Sequence, residues 1–139
     1  MRSLAEIESV RPLWETWQCH PNSDLDHFLA VCRLRPEEVI GPHVIVVEND
    51  SGETVALVAA REERTNVAPS LCYLRAPAVK ANVLNLIHEG VLGKLDSGAA
   101  DSVLHHVRSF LGTGACDIAL FSQVLEGDLL LSRALQNVP

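Results

Sequence analysis

The 139-residue chain is short of aromatic residues, which make up 4% of it, and short of positive charge, with 11 Lys and Arg against 18 Asp and Glu. The formal net charge is −7. A protein that neutralises phosphates needs a basic surface, because counterion release dominates nucleic-acid affinity. The cations are scattered (Arg33, Arg35, Arg61, Arg64, Arg75, Lys80), and no basic stripe is interleaved with aromatics. Nucleic acid is therefore not an expected partner. No CxxC pair occurs among the four cysteines, Cys19, Cys32, Cys72 and Cys116. They read as free, mostly buried thiols of a reducing compartment rather than a disulfide framework or a zinc site. No run approaches the roughly 18 apolar residues of a membrane span. The opening Met1-Arg2-Ser3-Leu4-Ala5-Glu6 stretch is amphipathic and acidic, without the apolar centre of a signal peptide. The expectation is a cytoplasmic protein.

Hydrophobic residues at 47% and charged residues at 21% exclude a disordered chain and leave an ordinary globular one. The length suits a single domain spanning residues 1–139, large enough to bury about 68–70% of its unfolded surface. Ser3-Leu4-Ala5-Glu6 has the form of a capping box, and Leu4, Ile7, Val10, Trp14 and Trp17 recur at helical spacing, with a kink or restart at Pro12. Ser23 or Asn22 is placed to cap a second helix carrying Leu25, Phe28, Leu29 and Cys32, which Pro36 ends. The run from His43 to Glu48, the turn signal Asn49-Asp50-Ser51-Gly52 and the run from Thr54 to Ala60 predict an antiparallel hairpin. Its strand leaves the core at Arg61-Glu62-Glu63-Arg64. Strands are expected at Leu71–Leu74 and Asn82–His88, followed by a loop punctuated by Gly90, Gly93 and Gly98. Asp96 or Ser97 caps the next helix, on which Ala100, Val103, Leu104, Val107, Phe110 and Leu111 share a face. A strand over Cys116–Phe121 and a helix over Asp128–Gln136 close the chain. The order ααββββαβα implies an α/β (α+β) fold, a mixed, mostly antiparallel sheet covered by helices, with a parallel crossover near the end.

Six histidines are the first residues to test for chemistry. His105 and His106 are neighbours on a helix, so they point about 100° apart and cannot share one metal. Cys19-His20 lacks an orienting partner for a nucleophile and base. Asp24 and Asp26 suit a helix N-terminus, and Glu37-Glu38 follow Pro36. Gly90-Val91-Leu92-Gly93 comes nearest to a phosphate loop. His88-Glu89 is the polar pair that a sheet end would offer to a ligand. No GxSxG, HExxH, P-loop or GxGxxG is present.

Trp14-Glu15-Thr16-Trp17, His20-Pro21-Asn22-Ser23-Asp24, Arg35-Pro36 and Gly41-Pro42-His43-Val44-Ile45-Val46, then Tyr73-Leu74-Arg75-Ala76-Pro77 and Gly90-Val91-Leu92-Gly93, follow one another along nearly the whole chain. This succession resembles the front half of CelD-like acetyltransferases of the GNAT superfamily. The resemblance implies a GNAT-like fold and acyl transfer, usually from acetyl-CoA to an amine. It also implies that the pyrophosphate would sit on the loop opening the helix after the fourth strand. That loop ordinarily reads Gln or Arg, two residues, Gly, one residue, then Gly or Ala. The corresponding stretch here, Gly90 to Ala99, departs from that pattern, and Asp96 brings negative charge toward the phosphates. Gly93, Ser97 and Gly98 are the positions such a cofactor would meet; no catalytic residue and no metal ligand is assigned. CelD-like proteins resemble FemAB-type proteins in having two GNAT-like halves. The expectation is thus an N-terminal domain that scaffolds or shapes substrate, with a C-terminal half as its partner. The alternatives are a complete minimal acetyltransferase and an interaction module that dimerises with itself.

Overall fold

A computed structural model describes residues 1–68, 70–71, 74–75, 77–122 and 129–136. The first helix, α1 (Leu4–Ser9), starts with the expected capping box: the Glu6 amide donates to the Ser3 hydroxyl at 3.2 Å, and the Ser3 amide donates to the Glu6 carboxylate at 2.9 Å. The chain restarts at once as α2 (Arg11–Trp17). Val10 closes the first helix and opens the second, and Pro12 sits in the first turn, where a missing N–H costs no helical bond. A 3₁₀ turn, Pro21–Ser23, with Ser23 buried, leads into α3 (Leu25–Leu34). Its cap is Asp24, whose carboxylate accepts the His27 amide at 2.8 Å, and not Ser23 or Asn22. Ser23 instead turns its hydroxyl back to the His20 carbonyl at 2.9 Å, inside the 3₁₀ turn.

The hairpin forms from β1 (Val39–Glu48) and β2 (Thr54–Val67). Asn49 closes the turn, its side-chain oxygen accepting the Ser51 and Glu53 amides at 3.0 and 2.9 Å. The charged run does not carry β2 out of the sheet. The strand continues to Val67, and alternation places Glu62 on the same face as Ala56, Val58 and Ala60, where it is 4% exposed. A two-residue ladder joins β3 (Ser70–Leu71) to β4 (Leu74–Arg75), where the sequence suggested a single strand. Cys72 and Tyr73, central to that expectation, lie outside the described residues.

The long strand β5 (Val79–Gly93) holds the larger correction. Gly90 and Gly93 belong to this strand and not to a loop after it. Opposite the two-residue step from Val58 to Ala60, β5 passes from Val91 to Leu86, so a bulge absorbs the segment 87–90. Glu89 there has φ 57, and a Cβ on Gly90 would lie 2.8 Å from the Ile87 carbonyl oxygen. The bulge needs glycine at that point. After β5 come α4 (Ser97–Gly112), β6 (Ile118–Phe121) and α5 (Leu129–Gln136). The main sheet has the order β1-β2-β5-β6, antiparallel except for the β5–β6 pair. Asp128, expected to open the last helix, lies outside the described residues.

Both faces of the sheet are covered, as the unbroken apolar runs require. On one side Ile7, Trp14, Leu25, Phe28 and Leu29 of the helical N-terminal third pack on Val44, Leu57, Ala59 and Leu92. On the other, α4 and α5 bring Ala100, Val103, Leu104, Val107 and Leu130 onto Ile45, Val47, Val58, Leu84 and Leu86. Met1 caps the outer edge of β1: its amino group donates to the Val44 carbonyl, and the Val44 amide donates back, each at 2.8 Å. Cys116 is buried, Cys32 half-buried and Cys19 exposed. Among the described residues no helix is long and apolar enough to cross a membrane. Among the described residues the protein is a mixed α/β fold of five α-helices around a mostly antiparallel four-stranded sheet.

Candidate functional site

The α4 side of the sheet carries a line of polar side chains that no sequence motif announces. His43 on β1 and Glu62 on β2 both point to this face, and both are buried, at 2% and 4% exposure. Glu62 Oε1 lies 3.1 Å from His43 Nδ1. A carboxylate only accepts, so His43 donates from Nδ1 and, as a neutral ring, turns a lone pair outward at Nε2. His106, one α4 residue on the exposed side, meets it there, Nε2 to Nε2 at 2.9 Å. In that contact His106 is the donor. Behind Glu62, Arg2 binds both carboxylate oxygens, Nε and Nη2 each at 2.7 Å, and lies 5.1 Å over the Phe110 ring. The same ring packs 4.5 Å from the His43 ring.

Burial dominates the titration of both imidazoles. It pushes His43 below its ordinary value, opposed by the Glu62 hydrogen bond, and pushes His106 the same way. Both rings are therefore held neutral near physiological pH. Burial likewise keeps the Cys116 thiol protonated, helped by the nearby Glu62 charge.

His106 also lines a cleft of about 830 Å³ between the β1–β2 turn and the N-terminal half of α4. Ile45, Val47, Val55 and Val103 supply its apolar walls. Its rim is acidic: Glu48, Asp50 and Asp96 face a single cation, Lys94. Among the described residues no group of three or more His, Cys, Asp or Glu is placed to hold a metal ion.

The positions expected to meet a cofactor do not converge. Gly98 lines the cleft, whereas Gly93 and Ser97 do not. Gly93 closes β5 at φ +83, and a Cβ there would lie 2.5 Å from the Val55 carbonyl oxygen and 3.0 Å from the Trp17 ring. Ser97 is the first residue of α4, but the cap is Asp96, which accepts the Ala99 amide at 2.8 Å. A carboxylate of the chain itself thus occupies the helix end that a phosphate would use.

The other candidates separate. His105 faces a different hollow from His106, beside Asp101, Arg108 and Arg133. His88 stands on the β5 bulge at a small polar hollow shared with Asn22, His27, Arg61, Asn85 and Ser122. The His20 ring approaches His88 edge-on at 5.5 Å, while His20 Nδ1 accepts the Asn22 amide at 3.1 Å and caps the 3₁₀ turn. Asp24 caps α3, Asp26 pairs with Arg11 at 2.9 Å, and Glu38 pairs with Arg35. Sequence reasoning set aside His106 and passed over Glu62. The available signal was spacing in two strands: if the hairpin register is drawn about Asn49–Gly52, His43 and Glu62 fall near each other, and alternation puts both on the face α4 must cover. No family model, no curated protein and no solved structure matches this chain.

Proposed function

We propose that this chain is a GNAT-like domain serving an N-acyltransferase as its scaffolding or substrate-shaping half, without binding acyl-CoA itself. The topology supports the first part. What supports it is three entering helices, an antiparallel β1–β2–β5 arrangement with the separate β3–β4 pair between β2 and β5 in the chain, then α4 and the parallel strand β6. The order differs from the expected ααββββαβα by one helix and one short strand. The second part rests on one observation, the Asp96 carboxylate seated on the Ala99 amide at the start of α4. A pyrophosphate brought to that terminus would face this carboxylate and find the Ala99 amide already used.

A partner half also has a surface to cover. β6 is the last strand of the sheet among the described residues, and Ile118 and Leu120 on it are 39% and 47% exposed. They alternate with Ala119 and Phe121, which pack toward the α4 core, so they face the other side of the sheet. Isothermal titration with acetyl-CoA tests the proposal. The expected result is no heat of binding; micromolar binding overturns the non-catalytic reading in favour of a complete minimal acetyltransferase.

A further inference from the structure

We propose that His43 and His106 form a two-histidine site for a divalent transition ion at the inner end of the β1–α4 cleft, with water completing the coordination from the cleft side. Three independent features of this site converge on it.

The first is orientation. Glu62 fixes the His43 tautomer through Nδ1, which leaves the Nε2 lone pair aimed at His106. A carboxylate behind a histidine is the arrangement that orients and strengthens an imidazole ligand. Arg2 already balances the Glu62 charge, so Glu62 stays in this supporting role and the ion would meet neutral nitrogens.

The second is separation. Two metal–nitrogen bonds of about 2.0–2.1 Å at a tetrahedral angle require the nitrogens to lie about 3.3 Å apart. The observed distance is 2.9 Å. His43 is locked by burial, but His106 is on the exposed side of α4 and can move the remaining few tenths of an ångström. On binding, the His106 proton transfers from Nε2 to Nδ1 by exchange with water, so both rings remain neutral and no net proton is released.

The third is the chemistry of the ligand atoms. Glu48, Asp50 and Asp96 against Lys94 leave the cleft negative. The Met1 ammonium, however, lies close enough to both rings to disfavour their protonation, so the field does not by itself draw an ion to the nitrogens. The ligand atoms decide which cation. Imidazole nitrogens favour Zn²⁺, Cu²⁺, Ni²⁺ and Co²⁺, whereas Mg²⁺ and Ca²⁺ prefer oxygen. An acidic rim alone would not make that distinction.

Titration calorimetry with Zn²⁺ and, separately, Mg²⁺ on the full chain tests the site. Expected are saturable micromolar binding of Zn²⁺ and no heat with Mg²⁺. His106→Ala is expected to abolish the Zn²⁺ isotherm, His105→Ala to leave it unchanged, and Glu62→Gln to weaken it about 10–100-fold. Ni²⁺ broadening of the imidazole signals in the wild-type chain, at His43 and His106 before any other histidine, gives a readout independent of mutant folding. The proposal is overturned if Zn²⁺ does not bind, if His106→Ala binds it as the wild type does, if Mg²⁺ matches it, or if Ni²⁺ broadens other histidines first.

Discussion

Arg2 holds Glu62 through both carboxylate oxygens at 2.7 Å, joining the start of the chain to the middle of β2. The carboxylate is buried while more than half of the arginine side chain is exposed. Removing the arginine therefore leaves a buried acceptor short of donors, although solvent reaches the gap. Arg2→Met should lower stability by about 1–3 kcal/mol, the cost of an abandoned buried polar group, and less than a fully enclosed ion pair would lose. Glu62→Gln should cost less in the Arg2→Met background than alone, because no cation is left behind. Urea unfolding of the two single variants and the double variant measures this coupling. Strict additivity would mean that the pair contributes nothing.

The Asp96 cap yields a prediction that separates shape from charge. Replacing it with Ala removes the acceptor of the Ala99 amide, and a lost N-cap costs about 0.5–2 kcal/mol. Asn caps nearly as well as Asp, so Asp96→Asn should stay close to the wild type, short only of the dipole contribution of about 0.3–1 kcal/mol. Thermal unfolding of the two variants should place Asp96→Ala clearly lower. Equal melting temperatures would show that α4 does not depend on this cap.

Which parts of this arrangement were legible in the sequence follows from the range of the interactions involved. The α1 capping box, the restart at Pro12, the Asn49–Gly52 turn and the α4 face depend on neighbours within a few residues, and residue type encodes them directly. The extent of β2 depends instead on pairing with β1 and β5 on either side, which outweighs the polar look of Arg61–Arg64. Glycine at 90 and 93 read as a loop because the reasons for it, a bulge and a backbone packed on Trp17, are tertiary. The His43–His106 contact joins residues 63 positions apart, so no local spacing can reveal it. His106 looks like a solvent residue from its helix alone. Its partner arrives from an edge strand.

Gly93 was a candidate for cofactor contact, and its surroundings supply a different reason for glycine. Its φ of +83 disfavours any side chain, and a Cβ would lie 2.5 Å from the Val55 carbonyl oxygen. Gly93→Ala should therefore destabilise the protein with no ligand present, by about 1–3 kcal/mol for the backbone conformation alone. Because Trp17 lies 3.0 Å from the same point, its fluorescence should report the local shift. Wild-type stability together with an unchanged Trp17 signal would return Gly93 to a purely functional role.

Glu6 gives the pH dependence its clearest local source. Its carboxylate accepts the Arg2 amide at 3.0 Å, the Ser3 hydroxyl at 2.8 Å and the Ser3 amide at 2.9 Å. These bonds, the Arg2 amide first, lower its pKa from 4.5 to about 2. The folded state thus releases this proton at lower pH than the unfolded state does, so between those values the unfolded chain binds more protons and stability rises with pH. The contribution is complete above about 4.5 and is lost as the pH falls through about 2. Because Glu6 is fully exposed, salt and solvent reduce the effect. Glu6→Gln should flatten the stability profile across this window relative to the wild type, more so at low ionic strength, as measured by urea midpoints between pH 2 and 5. Parallel wild-type and variant profiles would mean that the capping-box carboxylate carries no proton linkage to folding.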